Sequence, residues 1–150
     1  MARTTPASSE DSPLEFIQLL WKVDHELHSV SKRMIARFGL TAPQRLAVRF
    51  IAREPGLTLG GLAALLHLDP GTVTGIVQRL EAAGFVDRAR GEGDTRRMHL
   101  ALTAKGRALN RRRTGTVEAA VRRTLSSVTR SDAAAAARVL QRLAADLSDE

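Results

Sequence analysis

Apolar residues recur along most of the chain at spacings of three and four, the pattern of helices that bury one side. The first stripe runs through Leu14, Ile17, Trp21, Leu27, Met34, Ile35 and Phe38. Ser12 suits an N-cap, Pro13 the first turn, Glu15 a capping box and Gly39 the position just past the end. The spacing predicts one long helix whose N-terminal half extends beyond any local core. Residues 1–11 have no period and read as a flexible tail. A second helix opens at Thr41, with Pro43 in its first turn and Gln44 completing a capping box; Leu46, Phe50 and Ile51 mark its apolar side. Glu54-Pro55-Gly56 breaks it. A short third helix, about Thr58 to Leu66, turns Leu59, Leu62, Ala63 and Leu66 inward. Gly60 and Gly61 weaken it by roughly 1 kcal/mol each relative to Ala. Asp69 as N-cap and Pro70 as first helical residue open a fourth helix, which turns Val73, Ile76, Val77 and Leu80 inward and stops at Gly84.

After Gly84 the period falls to two. Residues 85–90 and 97–102 read as short strands around the polar turn 91–96, with Met98, Leu100 and Leu102 opposite Arg97, His99 and Ala101. A long helix is expected from Thr103 to about Ser126 or Ser127, and a last one from Ser131 and Asp132, with Val139, Leu140, Leu143 and Leu147 along one side. The order helix, turn, helix, hairpin predicts a mainly α chain with a small β-wing. Its winged helix-turn-helix domain spans 40–102. The helices of 12–39 and 103–150 carry apolar stripes that this domain cannot absorb. Pairing them across a twofold would bury them, so they are expected to form a dimerisation region.

Composition narrows the function. There is no cysteine, which excludes disulfides, thiolate metal centres and thiol switches. No apolar run reaches the roughly 20 residues of a membrane span, and the polar N-terminus lacks a signal core. A cytoplasmic location without a membrane partner is expected. Lys and Arg number 23 against 16 Asp and Glu, a formal net charge of +7 that suits a polyanion. Aromatic residues are only 3%, too few for the stacking platforms of single-strand binders, which favours duplex DNA.

The outward side of the fourth helix carries Thr72, Thr74, Gln78 and Arg79, side chains able to reach base edges or phosphates in a major groove. The hairpin tip carries Arg96 and Arg97, placed for an adjacent minor groove. Asp94, two residues before Arg96, can accept its hydrogen bonds and order it in advance; the alternative is a turn aspartate bonding its own backbone.

These residues resemble the MarR family of bacterial transcription regulators. The likeness rests on Leu40-Thr41-Ala42-Pro43-Gln44, Leu62-Ala63, Pro70, Thr72-Val73-Thr74 and Arg79 to Val86. It continues through Asp94-Thr95-Arg96-Arg97 and Leu100 to Gly106. Gly71 departs from the family's frequent serine, and Gly60-Gly61 from a firmer bracing helix. The resemblance implies a homodimeric repressor on a pseudo-palindromic operator, with half-sites about one helical turn, roughly 34 Å, apart. It also implies release by a small aromatic or anionic effector. Trp21, His25 and His28 share one helix face, and Arg45 and Arg49 on the next helix could balance an anion; the alternative is that Trp21 belongs to the core and the two histidines are partly exposed interface residues.

No cofactor or metal is expected. His25 and His28 have usable spacing, but with His67 and His99 they are the only histidines, and Asp24 and Glu26 are the only carboxylates close by in sequence. Arg111-Arg112-Arg113 reads as a solvated helix face, with contact to DNA as the alternative. A winged module for protein contacts remains a competing reading. An enzyme is disfavoured, since neither a Ser-His-Asp set nor a phosphate-cradling glycine loop is present.

Overall fold

A computed structural model describes the backbone of residues 11–90 and 97–150 and the side chains of 13–90 and 97–150. The elements run α1 (Asp11–Phe38), α2 (Ala42–Arg53), α3 (Leu59–Leu66), α4 (Pro70–Ala82), β1 (Val86–Arg90), β2 (Met98–Leu102), α5 (Ala104–Arg111), α6 (Val117–Ser126) and α7 (Arg130–Ser148). The chain divides into two units, Met1–Arg112 and Arg113–Glu150.

Local chemistry sets the helix starts in the first unit. The side chains of Thr41, Thr58, Asp69 and Thr103 each accept the backbone N–H three residues on, and Thr41 with Gln44 forms the full capping box. Gly39 and Gly84, just past α1 and α4, have the left-handed φ values of 71° and 76° that favour glycine. The core joins Ala47, Val48 and Ile51 of α2 to Leu62 of α3, all four inward residues of α4, Val86 and Leu100 of the wing and Leu109 of α5. β1 and β2 pair antiparallel, Val86 opposite Leu102 and Arg90 opposite Met98. Two strands gain little alone. Here the Leu100 N–H donates to the Leu57 carbonyl (2.8 Å), and Thr58 bridges to His99, so the segment before α3 extends the sheet's edge.

The wing is also tied to α4 and α5. Arg88 of β1 forms a two-pronged ion pair with Glu81 of α4 (2.8 and 3.2 Å). The Thr103 hydroxyl donates to the Gly84 carbonyl (2.6 Å) and Lys105 Nζ to the Ala83 carbonyl (2.7 Å). Gly106 lies so close to β1's approach that a Cβ there would stand 2.0 Å from the Phe85 carbonyl oxygen.

The structure corrects several expectations. α1 begins at Asp11, so Ser12 lies inside the helix and not at its cap; residues 1–10 of the expected tail lie outside the described residues. Leu46 is exposed, because the inward stripe of α2 is Gln44, Ala47, Val48 and Ile51. The long helix expected from Thr103 is interrupted. α5 ends at Arg111, Gly115 adopts φ +79°, and the Thr116 side chain starts a new helix by accepting the Ala119 N–H (3.2 Å). The arginine run is therefore not one helix face: Arg111 ends α5, and Arg112 is its extended C-cap. α7 starts at Arg130, capped by Thr129, one residue before the expected Ser131.

The second unit is different in character. No residue of α6 or α7 is buried, and Val121, Leu125, Val128, Val139, Leu140 and Leu147 are exposed. α1 in the first unit shares this property over most of its length: Leu14, Ile17, Leu19, Trp21 and Val23 are exposed, and only towards its C-terminal end is Met34 buried and does Phe38 pack against the core cluster.

Candidate nucleic-acid interface

α4 is held from below and open above. Val73, Ile76, Val77 and Leu80 are buried, which fixes the rotation of the helix about its axis. At 100° per residue the middle of the opposite side is then Gly71, Gly75, Gln78 and Ala82, flanked by Thr74 and Arg79 and, at the edge, Thr72. Gln78, Arg79 and Thr72 are exposed and Thr74 is half-buried. The four expected reading residues thus share the helix surface that the core leaves uncovered.

The two threonines are not free hydroxyls. Thr72 donates its hydroxyl proton to one carboxylate oxygen of Asp69, whose other oxygen accepts the Thr72 N–H (2.9 Å). These bonds hold the Asp69 carboxyl below its ordinary value, the Thr72 side chain contributing most. Thr74 donates to the Pro70 carbonyl (2.8 Å), the familiar back-bond of a helical threonine. The i, i+3 spacing of Asp69 and Thr72 discloses the cap; the direction of the hydroxyl appears only in three dimensions.

Arg97 is exposed beside the start of α3, where Thr58, Leu59, Gly60 and Met98 complete a shallow recess of about 290 Å³. Asp94 and Arg96 lie outside the described residues. Of the expected effector residues, Trp21 is 71% exposed rather than part of the core, and His25 and His28 are exposed on the same helix. His28 Nδ1 is 2.9 Å from the Asp24 carbonyl. Arg45 is corrected: only 2% exposed, it donates to the carbonyls of Leu109 (2.6 Å), Asn110 (3.2 Å) and Arg112 (2.7 Å). It is a clasp on the end of α5, not a cation presented to a ligand. Arg49 beside it donates to Asn110 Oδ1 (2.7 Å). Among the described residues no group of three or more His, Asp or Glu is placed to hold a metal ion, and no helix is long and apolar enough to cross a membrane.

Comparison with known proteins decides what this arrangement belongs to. A sequence profile of the MarR family matches residues 38–97, from the end of α1 to the wing. The chain is 31% identical over 138 residues to the HTH-type transcriptional repressor Rv2887 of Mycobacterium tuberculosis, covering 92% of this chain and 98% of that protein. The chain belongs to the MarR family. It is thus a DNA-binding transcriptional regulator by family, not an enzyme. A solved structure of Rv2887 in complex with salicylic acid aligns over 83% of this MarR protein and 93% of that chain, with TM-score 0.57 and 31% identity. CouR from Rhodococcus jostii bound to p-coumaroyl-CoA aligns with TM-score 0.72 and 26% identity, over 84% and 89% of the two chains. The Staphylococcus aureus MepR–DNA complex shares the fold, with TM-score 0.73 at 21% identity over 88% and 97%.

Proposed function

We propose that this MarR protein is a homodimeric repressor that lays α4 in the major groove of a pseudo-palindromic operator while Arg96 and Arg97 of the wing grip alongside. The observation that carries the reading is the outward face of α4, with Gln78 and Arg79 exposed on a helix whose other side is locked into the core. The uncovered apolar residues of α1, α6 and α7 supply the surface a second copy would bury. Selection from a random duplex pool tests it. The expected result is a twofold-related sequence. Gln78→Ala should then relax base preference at one position by about 1–3 kcal/mol. Arg96→Ala should lower affinity on all sequences and reduce the salt slope by about one unit. A pool without enrichment, or unchanged binding in both variants, would overturn the reading.

Release by a small aromatic acid is part of the same proposal, favoured by the ligands named for Rv2887 and CouR and by the open face of Trp21, His25 and His28, with Arg49 on the next helix. Trp21 is the only tryptophan, so its fluorescence reports on that face. Salicylate should quench it and weaken operator binding over the same concentration range. Quenching without loss of DNA binding, or the reverse, would separate this face from regulation.

A further inference from the structure

The hydroxyl protons on α4 have fixed destinations, and this bears on which bases the helix selects. The inference rests on the operator-binding reading above. An ionised carboxylate and a carbonyl oxygen can only accept hydrogen bonds. Thr72 therefore donates to Asp69, and Thr74 to the Pro70 carbonyl, in the one possible direction. What each hydroxyl has left to offer outward is lone pairs. The start of the helix is likewise closed to phosphate. Pro70 has no N–H, and the Thr72 N–H is already taken by Asp69. A phosphate oxygen, itself only an acceptor, finds at this end an exposed carboxylate and two committed hydroxyls.

We propose that Asp69 fixes the polarity of Thr72, so that the first turn of α4 reads an amino group and rejects a keto group on the facing strand. In the major groove adenine presents the N6 amino group and cytosine the N4 amino group, whereas guanine presents O6 and thymine O4. An acceptor-only tip distinguishes adenine or cytosine from guanine or thymine at one strand position. Asp69 is a positioning residue in this scheme: it acts through the Thr72 proton. Thr74, turned the same way by Pro70, adds the same bias half a turn further on.

The polarity can be reversed without removing the cap. In Asp69→Asn the amide oxygen still accepts the Thr72 N–H, since the amide nitrogen cannot. The NH2 group then occupies the place of the second carboxylate oxygen and donates to the Thr72 hydroxyl. The hydroxyl proton is released to point outward, and the tip becomes a donor. Asparagine is as good an N-cap as aspartate, so the fold is retained, which a thermal melt verifies.

The experiment uses the full chain and the duplex recovered from random-pool selection, with every base pair of one half-site substituted in turn. The wild type should favour adenine or cytosine over guanine or thymine by about five-fold at one position, the worth of a single hydrogen bond. Asp69→Asn should invert that preference there and leave the other positions unchanged. Thr72→Val should flatten it in either background. The proposal is overturned if Asp69→Asn keeps the amino preference, or if it weakens all duplexes equally. Enriched duplexes without the inversion sink this assignment alone; no enriched duplex sinks the operator reading and this assignment with it.

Discussion

α4 and α7 are both amphipathic helices, yet they meet opposite fates within one chain. α4 has 13 residues and buries all four members of its apolar stripe. α7 has 19 residues, with Val139, Leu140, Leu143 and Leu147 along one side, and buries none. The same periodicity says which side of a helix seeks cover, but not whether the cover is intramolecular. The short helices around α4 are arranged to enclose its stripe. α7 and most of α1 carry stripes that stay exposed, the surface that the proposed second copy would cover.

The sharpest way to break this contrast is to truncate a leucine on each side. Leu80→Ala should cost about 2–5 kcal/mol in chemical denaturation, the range for an emptied core position, and by the same amount at every protein concentration. Leu140→Asp should leave the winged core intact and instead convert dimer to monomer in sedimentation, with loss of operator binding. Equal and concentration-independent effects would erase the distinction. A smaller effect tests the seam that keeps the wing on α4. Gly106→Ala places a methyl group against the Phe85 backbone, which cannot rotate away, and should cost about 1–3 kcal/mol of stability. The smallest change sharpens the division between packed and reading faces of α4. A Cβ at Gly75 meets nothing within 4 Å, so Gly75→Ala should stabilise the helix by up to about 1 kcal/mol. The same methyl group projects from the surface proposed to enter DNA. The melting temperature should rise while operator affinity falls, two readouts of opposite sign.

What was legible in the sequence follows from the range of the interactions. The caps at Thr41, Thr58, Asp69 and Thr103 involve neighbours three residues away and could be read directly, as could the inward quartet of α4. The interruption after Arg111 was missed because helical spacing continues across it. The local sign was Gly115 between two threonines, one of which caps the next helix. Arg45 was misjudged for a different reason. Its charge suggested a cation for an anionic ligand, but its guanidinium satisfies three carbonyls more than sixty residues away in sequence. The reading face of α4 was legible as a list of side chains. Its hydrogen-bond polarity was not, since that depends on where Asp69 places its second oxygen.

The Arg45 clasp has one more consequence. A guanidinium is a planar fork whose N–H groups diverge, whereas a lysine carries all its donors on one atom. The seam between the second and fifth helices is thus held by the shape of this side chain as well as by its charge, and a lysine placed there could not span the same three carbonyls.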